Sequence, residues 1–575
     1  MSISPALQTA LQSLLVQQNG LNVTGHNIAN ANTPGYSRQR ANLVPAMPTY
    51  YLFGAIGNGV EVKGIERVVD EFLNSQIRNA DSGANGQQVL QTAYDRSEAI
   101  FNELTDNDLS TALDKFFGAL QDLSVNVESQ PTRDLAVQQA QALSQMVTGL
   151  YASLQTYHQQ LDSDLDTMVG KVNGLLDEIR GLNVQIATHE GGSGVSANDL
   201  RDTRDQKLRE LSGLMNITVI EQPNGGANVS TKGMPLVIYD TVFHLTTRLD
   251  TSAGLSAHQV VFEADGSPLL ATSGKLPATI QARDQLVKGF MDDLNQFAAD
   301  LIFQFNRVHS QGVGSRQLTS VTGENAAMDP TAALNLVNLG FTPAPGTFEI
   351  KNGSLTIDLV NSVSGEVHKY SVAVDLDGVG ADTSLNGLAA AINAAVPANT
   401  IRAAVDTTGH LRIDSLDPQT YSFFFSEDSS GVLAALGING FFSGHDAATM
   451  GVSPALVADS RYLAGAQSAA PGDNQNLLEL IGLRDAAAAN GGAMTFEDYY
   501  RGIIGRMAAE SERSTSRLQA QNDLVTQMEN ERETVSGVSL DEELTRMIQF
   551  QRAYQASARF VSVSDSVLDT LINKT

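Results

Sequence analysis

Hydrophobic positions follow a helical period at both ends of the chain and again in two internal segments. The longest stripe runs from Leu143 to Ile186, and its apolar residues are spaced almost entirely four and three apart. A stripe of this length predicts a long rod-like helix, packed either in a coiled-coil seam or in a helical bundle. Shorter stripes predict helices after Ser4-Pro5, over residues 281–310 and at the C-terminus.

Two segments between these helices instead place apolar residues at every second position, which is typical of strands. The first begins near residue 215 and contains turn-forming residues. The second spans roughly 345–425, where Asn352-Gly353 separates two apolar segments and predicts a tight hairpin; residues 401–413 predict another. The order helix, β, helix, β, helix predicts an α+β multidomain protein. Its N- and C-terminal helices would form a coiled-coil-like rod, with β-rich domains inserted in the middle.

Net charge excludes several classes of partner. The chain has 36 basic and 64 acidic residues, a net charge of −28 and an isoelectric point near 4.6. Nucleic acid and anionic membrane surfaces attract basic proteins, so neither is an expected partner. Residues 1–60 contain no Asp or Glu. Such a neutral surface suits packing beside copies of itself, because like charges repel within a Debye length; a solvated, mobile terminus is the alternative reading.

The residues that form catalytic or metal sites are either absent from the sequence or lack the spacing that such sites need. Cysteine is absent, which excludes disulfides, thiol nucleophiles and iron–sulfur clusters. None of the nine histidines has metal-ligand spacing, and Asp375-Leu376-Asp377-Gly378 predicts a turn rather than a calcium loop. His309 is interpreted as a packing or capping residue rather than a catalytic base. We therefore expect no enzyme activity, no catalytic residue, no metal and no cofactor.

Two further absences concern membranes and export. No apolar run reaches the 18 or more residues of a membrane-spanning helix, so membrane insertion is not expected. The N-terminus lacks the features of a cleaved secretory leader, because its first basic residue is Arg38 and polar residues interrupt its apolar positions. If the protein is exported, we expect a route without a cleaved leader.

Both ends of the chain resemble one family. Asn27-Ile28-Ala29-Asn30, followed by Thr33-Pro34-Gly35-Tyr36, is similar to the N-terminal signature of the bacterial flagellar axial proteins, which comprise rod, hook and hook-associated proteins. Segments 536–543 and 550–559 resemble the matching C-terminal signature. Internal segments are similar to hook-associated members of the family, and these are residues 200–211, 306–312 and 434–444.

The resemblance implies a structural adaptor that joins the flagellar hook to the filament and assembles at the distal hook end after type III export. It implies a secreted protein at the hook–filament junction of the bacterial flagellum. The implied partners are hook protein, the third hook-associated protein, copies of itself, and the flagellar export chaperone and export apparatus. An alternative is another axial protein, flagellin or hook protein, against which Leu436-Gly437-Ile438-Asn439 argues. A secreted adhesin or enzyme on a flagellar scaffold, active through residues 345–425, is a further alternative.

The resemblance and the terminal stripes together predict the residues that carry assembly. The terminal helices are expected to pack on each other and on neighbouring subunits, and to become ordered on assembly. The predicted assembly residues are Leu7, Leu11, Leu14, Asn27, Asn30, Pro34, Gly35, Tyr36, Leu540, Leu544, Met547, Phe550, Tyr554, Ala558, Val561 and Leu568.

The changes of pattern also predict seven segments. They are an N-terminal axial assembly segment (1–75), a long helical rod domain (76–215), the first part of a β-rich domain (216–280), a returning helix and linker (281–340), an inserted β-rich domain (341–450), the returning part of the rod domain (451–515) and a C-terminal axial assembly helix (516–575).

Overall fold

The computed structural model describes residues 5–51, 54–102, 108–193, 195–251, 257–343 and 346–573. The helices in these ranges are α1 (Pro5–Ala29), α2 (Glu71–Phe101), α3 (Leu109–Val125), α4 (Gln130–Ser193), α5 (Asn198–Leu214), α6 (Lys275–Gln281), α7 (Lys288–His309), α8 (Leu385–Ala395), α9 (Val432–Ala435), α10 (Pro454–Ala458), α11 (Gln475–Gly482), α12 (Phe496–Ser536) and α13 (Leu540–Asn573). A π-helical turn, Ala282–Val287, lies between α6 and α7, and a 3₁₀ turn, Ser460–Tyr462, follows α10.

The strands in these ranges are mostly short and antiparallel. They are β1 (Gln39–Pro45), β2 (Thr49–Tyr51), β3 (Gly54–Ile56), β4 (Val60–Arg67), β5 (Thr218–Glu221), β6 (Ala227–Thr231), β7 (Met234–Ile238), β8 (Thr241–Val242), β9 (Leu245–Asp250), β10 (Ala257–Phe262), β11 (Ser320–Thr322), β12 (Gly353–Asn361), β13 (Val367–Val374), β14 (Ile401–Val405), β15 (Leu411–Ser415), β16 (Tyr421–Asp428), β17 (Phe442–Ser443) and β18 (Gly451–Val452).

The chain divides into two compact units, each assembled from distant parts of the sequence. Unit 1 comprises residues 1–92, 159–283 and 512–575, and unit 2 comprises residues 93–158 and 284–511. Both chain ends therefore belong to unit 1. Helices α2, α4 and α12 each contribute residues to both units.

The core of unit 1 lies between the second half of α4, helix α5 and short strands. Leu165, Val172 and Ile179 of the α4 stripe are fully buried, because they pack in one cluster with Leu208 and Leu211 of α5. Strands β5, β6, β7 and β8 form a four-stranded antiparallel sheet whose Val229, Leu236 and Val237 complete this cluster. Strands β9 and β10 form a separate hairpin.

Strands β1 and β4 form the pair that follows the N-terminal helix in unit 1. They are antiparallel, with Gln39 opposite Arg67 and Pro45 opposite Val60, and a bulge between Asn42 and Leu43. Short strands β2 and β3 pair within the connection. The β1–β4 pair thus holds the segment after Tyr36 beside α1.

Unit 2 contains an aromatic core around α7. The Phe305 ring lies 5.3 Å from Phe116 of α3, and Phe441 and Phe442 lie 6.0 and 5.5 Å from Phe305. Three-stranded sheets with the orders β13-β12-β16 and β11-β15-β14 supply the β-rich part of this unit.

The predicted α+β class is confirmed, and the terminal helices α1 and α13 pack on each other as expected. The hairpin predicted at Asn352-Gly353 is wrong, because Phe348–Ile350 forms no strand and Gly353 begins β12. Strand β12 instead pairs with β13 and β16. The Asn352 side chain accepts a hydrogen bond from the Leu376 amide at 2.9 Å, which ties this turn to the end of β13. The hairpin predicted over 401–413 is confirmed by the pairing of β14 with β15.

Candidate assembly site at the two ends of the chain

Helices α1 and α13 approach closely along one face of each. Gly20 of α1 lies against the ring of Phe550, and a Cβ atom at position 20 would be only 2.6 Å from Phe550 Cε1. Two helical turns away, seven residues before Gly20 and seven after Phe550, Ser13 Oγ and Ser557 Oγ are 2.8 Å apart. The Phe550 ring thus fills the space that a side chain at position 20 would need, and this favours glycine there.

Asn27 near the end of α1 is the most connected side chain of this site. It is 1% exposed, and its amide nitrogen donates to the Gln39 carbonyl at 2.9 Å and to Glu543 Oε2 at 3.1 Å. Its amide oxygen accepts from the Gln39 N–H at 3.0 Å and from the Tyr36 hydroxyl at 2.8 Å. Every hydrogen-bonding atom of a buried amide is therefore used, as a buried polar group requires.

Arg38 joins the N-terminal segment to the first turn of α13. Its Nε donates to Glu543 Oε1 at 2.8 Å, and a terminal nitrogen donates to Glu542 Oε2 at 2.8 Å. Although burial lowers the pKa of Arg38, the hydrogen bonds to the two glutamates raise it above its ordinary value. The Arg38 amide also donates to the Ser536 carbonyl at 2.9 Å. We call Asn27, Arg38 and Glu543 the terminal clamp.

The turn between α1 and β1 is built from the N-terminal signature. Thr33 Oγ1 donates to Asn30 Oδ1 at 3.1 Å, and the Asn30 side chain donates to the His26 carbonyl at 3.0 Å. Gly35 has a positive φ of +79°, which favours glycine, and the Gln206 side chain covers it while donating to the Pro34 carbonyl. The turn thereby directs Tyr36 back onto Asn27.

Helix α5 supports the same turn with a row of carboxylates. Asp202 accepts from the Ser37 amide at 3.0 Å and from Arg67 at 2.8 Å, and Asp205 accepts from Arg67 at 2.7 Å. Burial, followed by the charges of Asp199, Asp202 and Glu543, raises the pKa of Tyr36 above its ordinary value. Its hydroxyl thus stays a neutral donor at physiological pH.

Both helices also carry exposed apolar side chains outside this contact. Leu11 and Leu15 of α1 are exposed, although both continue the apolar pattern of that helix. Exposed apolar side chains also follow one another along α13, and they are Leu540, Leu544, Ile548, Tyr554, Phe560, Val563 and Val567. We call these nine residues the outer apolar face. Apolar side chains grouped in this way are typical of an interaction surface.

Seven of the predicted assembly residues lie in the clamp region, the helix contact or the outer apolar face. Asn27 and Tyr36 meet in the clamp region, and Phe550 lies in the helix contact. Leu11, Leu540, Leu544 and Tyr554 lie on the outer apolar face. Pro34 is exposed, whereas the remaining members are partly buried: Leu7, Leu14, Asn30, Gly35, Met547, Ala558 and Val561. The Leu568 side chain lies outside the described residues.

Sequence reasoning missed Arg38, Glu543 and Gly20. Arg38 was visible as the first basic residue of a segment without acidic residues. Glu543 was visible as part of an acidic first turn, which the helix dipole was sufficient to explain. Within the described parts of the chain no group of three or more His, Asp or Glu side chains could hold a metal ion. No described helix combines the length and apolar character needed to cross a membrane.

His309 has a structural environment in unit 2. Its Nδ1 lies 2.8 Å from the Asn439 carbonyl, and its Nε2 accepts from the Ala464 amide at 2.9 Å. Burial lowers the pKa of His309 to about 4, so the ring is neutral at physiological pH. Both ring nitrogens are thus occupied by the backbone, which supports the interpretation as a packing residue.

Three family models match separate parts of the chain. The helical domain of flagellar hook-associated protein FlgK matches residues 94–325, the flagella basal body rod protein matches residues 7–36, and the C-terminal part of the flagellar basal body rod FlgEFG protein matches residues 532–574. The two shorter matches contain most of α1 with its signature turn, and all of α13.

Characterised relatives match over nearly the whole length. Flagellar hook-associated protein 1 of Salmonella typhimurium is 27% identical over 99% of this chain and 100% of its own, and that of Bacillus subtilis is 28% identical over 99% and 97%. The solved flagellar hook junction protein FlgK from Burkholderia pseudomallei aligns with 80% of this chain and 100% of its own, at 16% identity and a TM-score of 0.49. The chain is therefore similar over nearly its whole length to flagellar hook-associated proteins, and its residues 94–325 match the helical domain of such a protein.

Proposed function

We propose that this chain is the structural adaptor that joins the flagellar hook to the filament, assembled at the distal hook end after type III export. The observation that carries the proposal is the outer apolar face presented by two terminal helices that are already bound to each other. The terminal clamp fixes α1 against α13, so the exposed apolar side chains of both helices are held in a defined arrangement.

Adjacent subunits would cover this surface. Leu11 and Leu15 are four residues apart on α1, as are Leu540, Leu544 and Ile548 on α13, so each set lies along one side of its helix. Burying a Leu or Ile side chain contributes roughly 1.5–3 kcal/mol, and the residues of the outer apolar face together provide ample free energy for subunit association. In this proposal the neighbours are copies of the chain, hook protein on one side and the third hook-associated protein on the other.

The same face provides a binding site for an export chaperone before assembly. Leu540, Leu544 and Ile548 have the spacing with which an amphipathic helix enters an apolar groove. Because the chaperone and the neighbouring subunits would use the same side chains, binding of the chaperone prevents premature association.

Deletion of the gene tests the position in the flagellum. We expect hooks without filaments in electron micrographs and flagellin released into the medium as monomer. Normal filaments would contradict the junction role. Missing hooks would instead indicate the hook protein itself, and intact hooks without secreted flagellin would indicate flagellin.

Complementation with surface variants tests the outer apolar face. The double variant L540S/L544S should fold normally, because both side chains are exposed, yet should leave hooks without filaments. The matched control Q551S/Q555S changes two exposed polar residues of the same helix, also four apart, and should restore filaments. Full motility with L540S/L544S would contradict the assignment of this face to assembly.

A further inference from the structure

A polar cavity lies within unit 1, next to the turn that carries the N-terminal signature. It has a volume of about 520 Å³ and is lined by Pro34 and Gly35 of that turn, by Ser536 at the end of α12, and by side chains of α2, α4, α5 and α6. A cavity of this size is large enough for a small ion with its hydration water.

The acidic side chains that line this cavity are already paired. Each has a basic partner among the described residues: Asp81 with Arg209 at 2.6 Å, Asp205 with Arg67 at 2.7 Å and Glu210 with Lys207 at 3.4 Å. None of these three ion pairs involves Arg78, Lys171, Lys275 or Arg532, the other basic residues that line the cavity.

Four basic residues of the lining have no such partner. Among the described residues none forms an ion pair or a side-chain hydrogen bond with Arg78, Lys171, Lys275 or Arg532. They come from α2, α4, α6 and α12, so four separate elements bring unpaired positive charge to one space. In a chain of net charge −28, this concentration of positive charge is not explained by composition.

Among these four residues, the burial of Arg78 argues most directly for an anionic partner. Its side chain is buried, with only 8% of the residue exposed, although a guanidinium offers five donors and cannot become neutral at ordinary pH. Burial lowers the pKa of Arg78, and this outweighs the more distant charges of Asp205, Glu71 and Glu221. Burying an unpaired cation is costly, whereas pairing it with an anion removes most of that cost.

We propose that this cavity binds an oxyanion, held by the Arg78 guanidinium and by the charges of Lys171, Lys275 and Arg532. A guanidinium matches phosphate and carboxylate equally well, because its parallel N–H groups can donate to two oxygens of either. Two sources supply this chemistry: free inorganic phosphate, or the carboxylate of an acidic side chain from a neighbouring copy. The second source alone rests on the function proposed above.

The first experiment measures thermal unfolding of the full-length protein in inorganic phosphate, with sodium chloride at equal ionic strength as the reference. A bound anion raises the Tm in a saturable manner, because it stabilises the folded state by mass action. We expect Arg78→Met to abolish the phosphate-dependent rise. Arg40→Met removes an exposed arginine of β1 that does not line the cavity, and it should leave the rise unchanged.

Arg532→Met is a second variant whose folding is less at risk, because Arg532 is only partly buried. It should weaken the apparent phosphate affinity by about tenfold, as expected for the loss of one charge-assisted contact. A rise in Tm that is identical in the wild type, R78M and R532M would mean that phosphate acts elsewhere.

The second experiment distinguishes the two sources by sedimentation velocity in phosphate-free buffer. If the natural ligand is a neighbour's carboxylate, R78M weakens self-association relative to the wild type and to R40M, and phosphate competes with association. If the natural ligand is a free oxyanion, R78M abolishes the phosphate-dependent rise in Tm but leaves self-association unchanged. The proposal would be overturned if the wild type and R78M self-associate equally and phosphate changes the Tm of both proteins to the same extent. None of these outcomes depends on where the protein lies in the flagellum, so a normal filament in the deletion strain leaves this test unchanged.

Discussion

Glu543, at the start of α13, accepts a hydrogen bond at 3.1 Å from Asn27, which lies 516 positions earlier near the end of α1. Glu543 is 1% exposed, and its second oxygen is bound by Arg38 at 2.8 Å. A buried carboxylate is stable only when it is paired in this way. The contact thus makes each end of the chain depend on the other.

Replacing Asn27 should destabilise unit 1 strongly. In Asn27→Ala the Gln39 amide and carbonyl both lose a buried partner, and Glu543 loses a donor. We expect a loss of about 2–4 kcal/mol, measured as a lower Tm by circular dichroism. Asn22→Ala alters an exposed asparagine of the same helix and should have little effect. An Asn27→Ala variant as stable as Asn22→Ala would show that the clamp contributes nothing.

A double-mutant cycle should show that Arg38 is coupled more strongly to Glu543 than to Glu542. The side chain of Glu542 is 60% exposed, and solvent therefore screens its pair with Arg38. We expect a coupling of about 1–3 kcal/mol for Arg38→Met with Glu543→Gln, and a much smaller coupling with Glu542→Gln. Raising the salt concentration should reduce only the second value. Equal couplings would contradict the burial-based argument.

Glycine at position 20 should be far less replaceable than glycine at position 25. Gly20→Ala places a methyl group against the Phe550 ring and should cost about 1–3 kcal/mol. Gly25→Ala meets no atom within 4 Å and should stabilise the helix by about 0.5–1 kcal/mol. The smaller side chain in Phe550→Leu should partly rescue Gly20→Ala. Thermal unfolding of the four variants measures both effects, and an additive result for the pair at positions 20 and 550 would show that they do not interact.

His309 should make unit 2 sensitive to acid. Its folded pKa of about 4 lies below the ordinary value of 6.5, so the unfolded state binds the proton first. The contribution of His309 to the free energy of unfolding is therefore complete above pH 6.5. It falls by about 1.4 kcal/mol per pH unit as the pH decreases toward 4. The Tm of His309→Gln should therefore depend less on pH in this range than that of the wild type.

The exposed His368 provides the control for this measurement, and His368→Gln should keep the wild-type slope. Burial also raises the pKa of Glu324 to about 7, which makes stability fall as the pH rises from 4.5 to 7. This opposite effect is present in all three proteins and cancels in the comparison. Parallel curves for the wild type and H309Q would refute the role assigned to His309.

The long helix α4 and the change from helix to strands near residue 215 could be predicted from the sequence. The Leu143 to Ile186 stripe predicted α4, because a 64-residue helix repeats the same packing requirement many times. The change of period near residue 215 likewise marked the strands of unit 1. The Asn352-Gly353 hairpin failed because that dipeptide indicates only a local turn, whereas long-range pairing with β16 decides which strand begins there.

The inner face of α13 illustrates why the clamp could not be predicted. Its contacts with α1 and with the turn after it come from Glu543, Phe550 and Ser557, which are spaced seven apart. Two of these three are polar, so a search for apolar stripes passes over them. Their partners lie more than 500 residues away, and no spacing rule joins positions at that distance.

The clamp also has a consequence for the order in which the chain is made. Ribosomes synthesise α1 before α13, so Asn27 acquires its Glu543 partner only after another 516 residues have been made. A prematurely terminated product can never close the clamp and leaves the polar end of α1 unmatched. Closure of the clamp therefore requires a polypeptide that extends at least from Asn27 to Glu543.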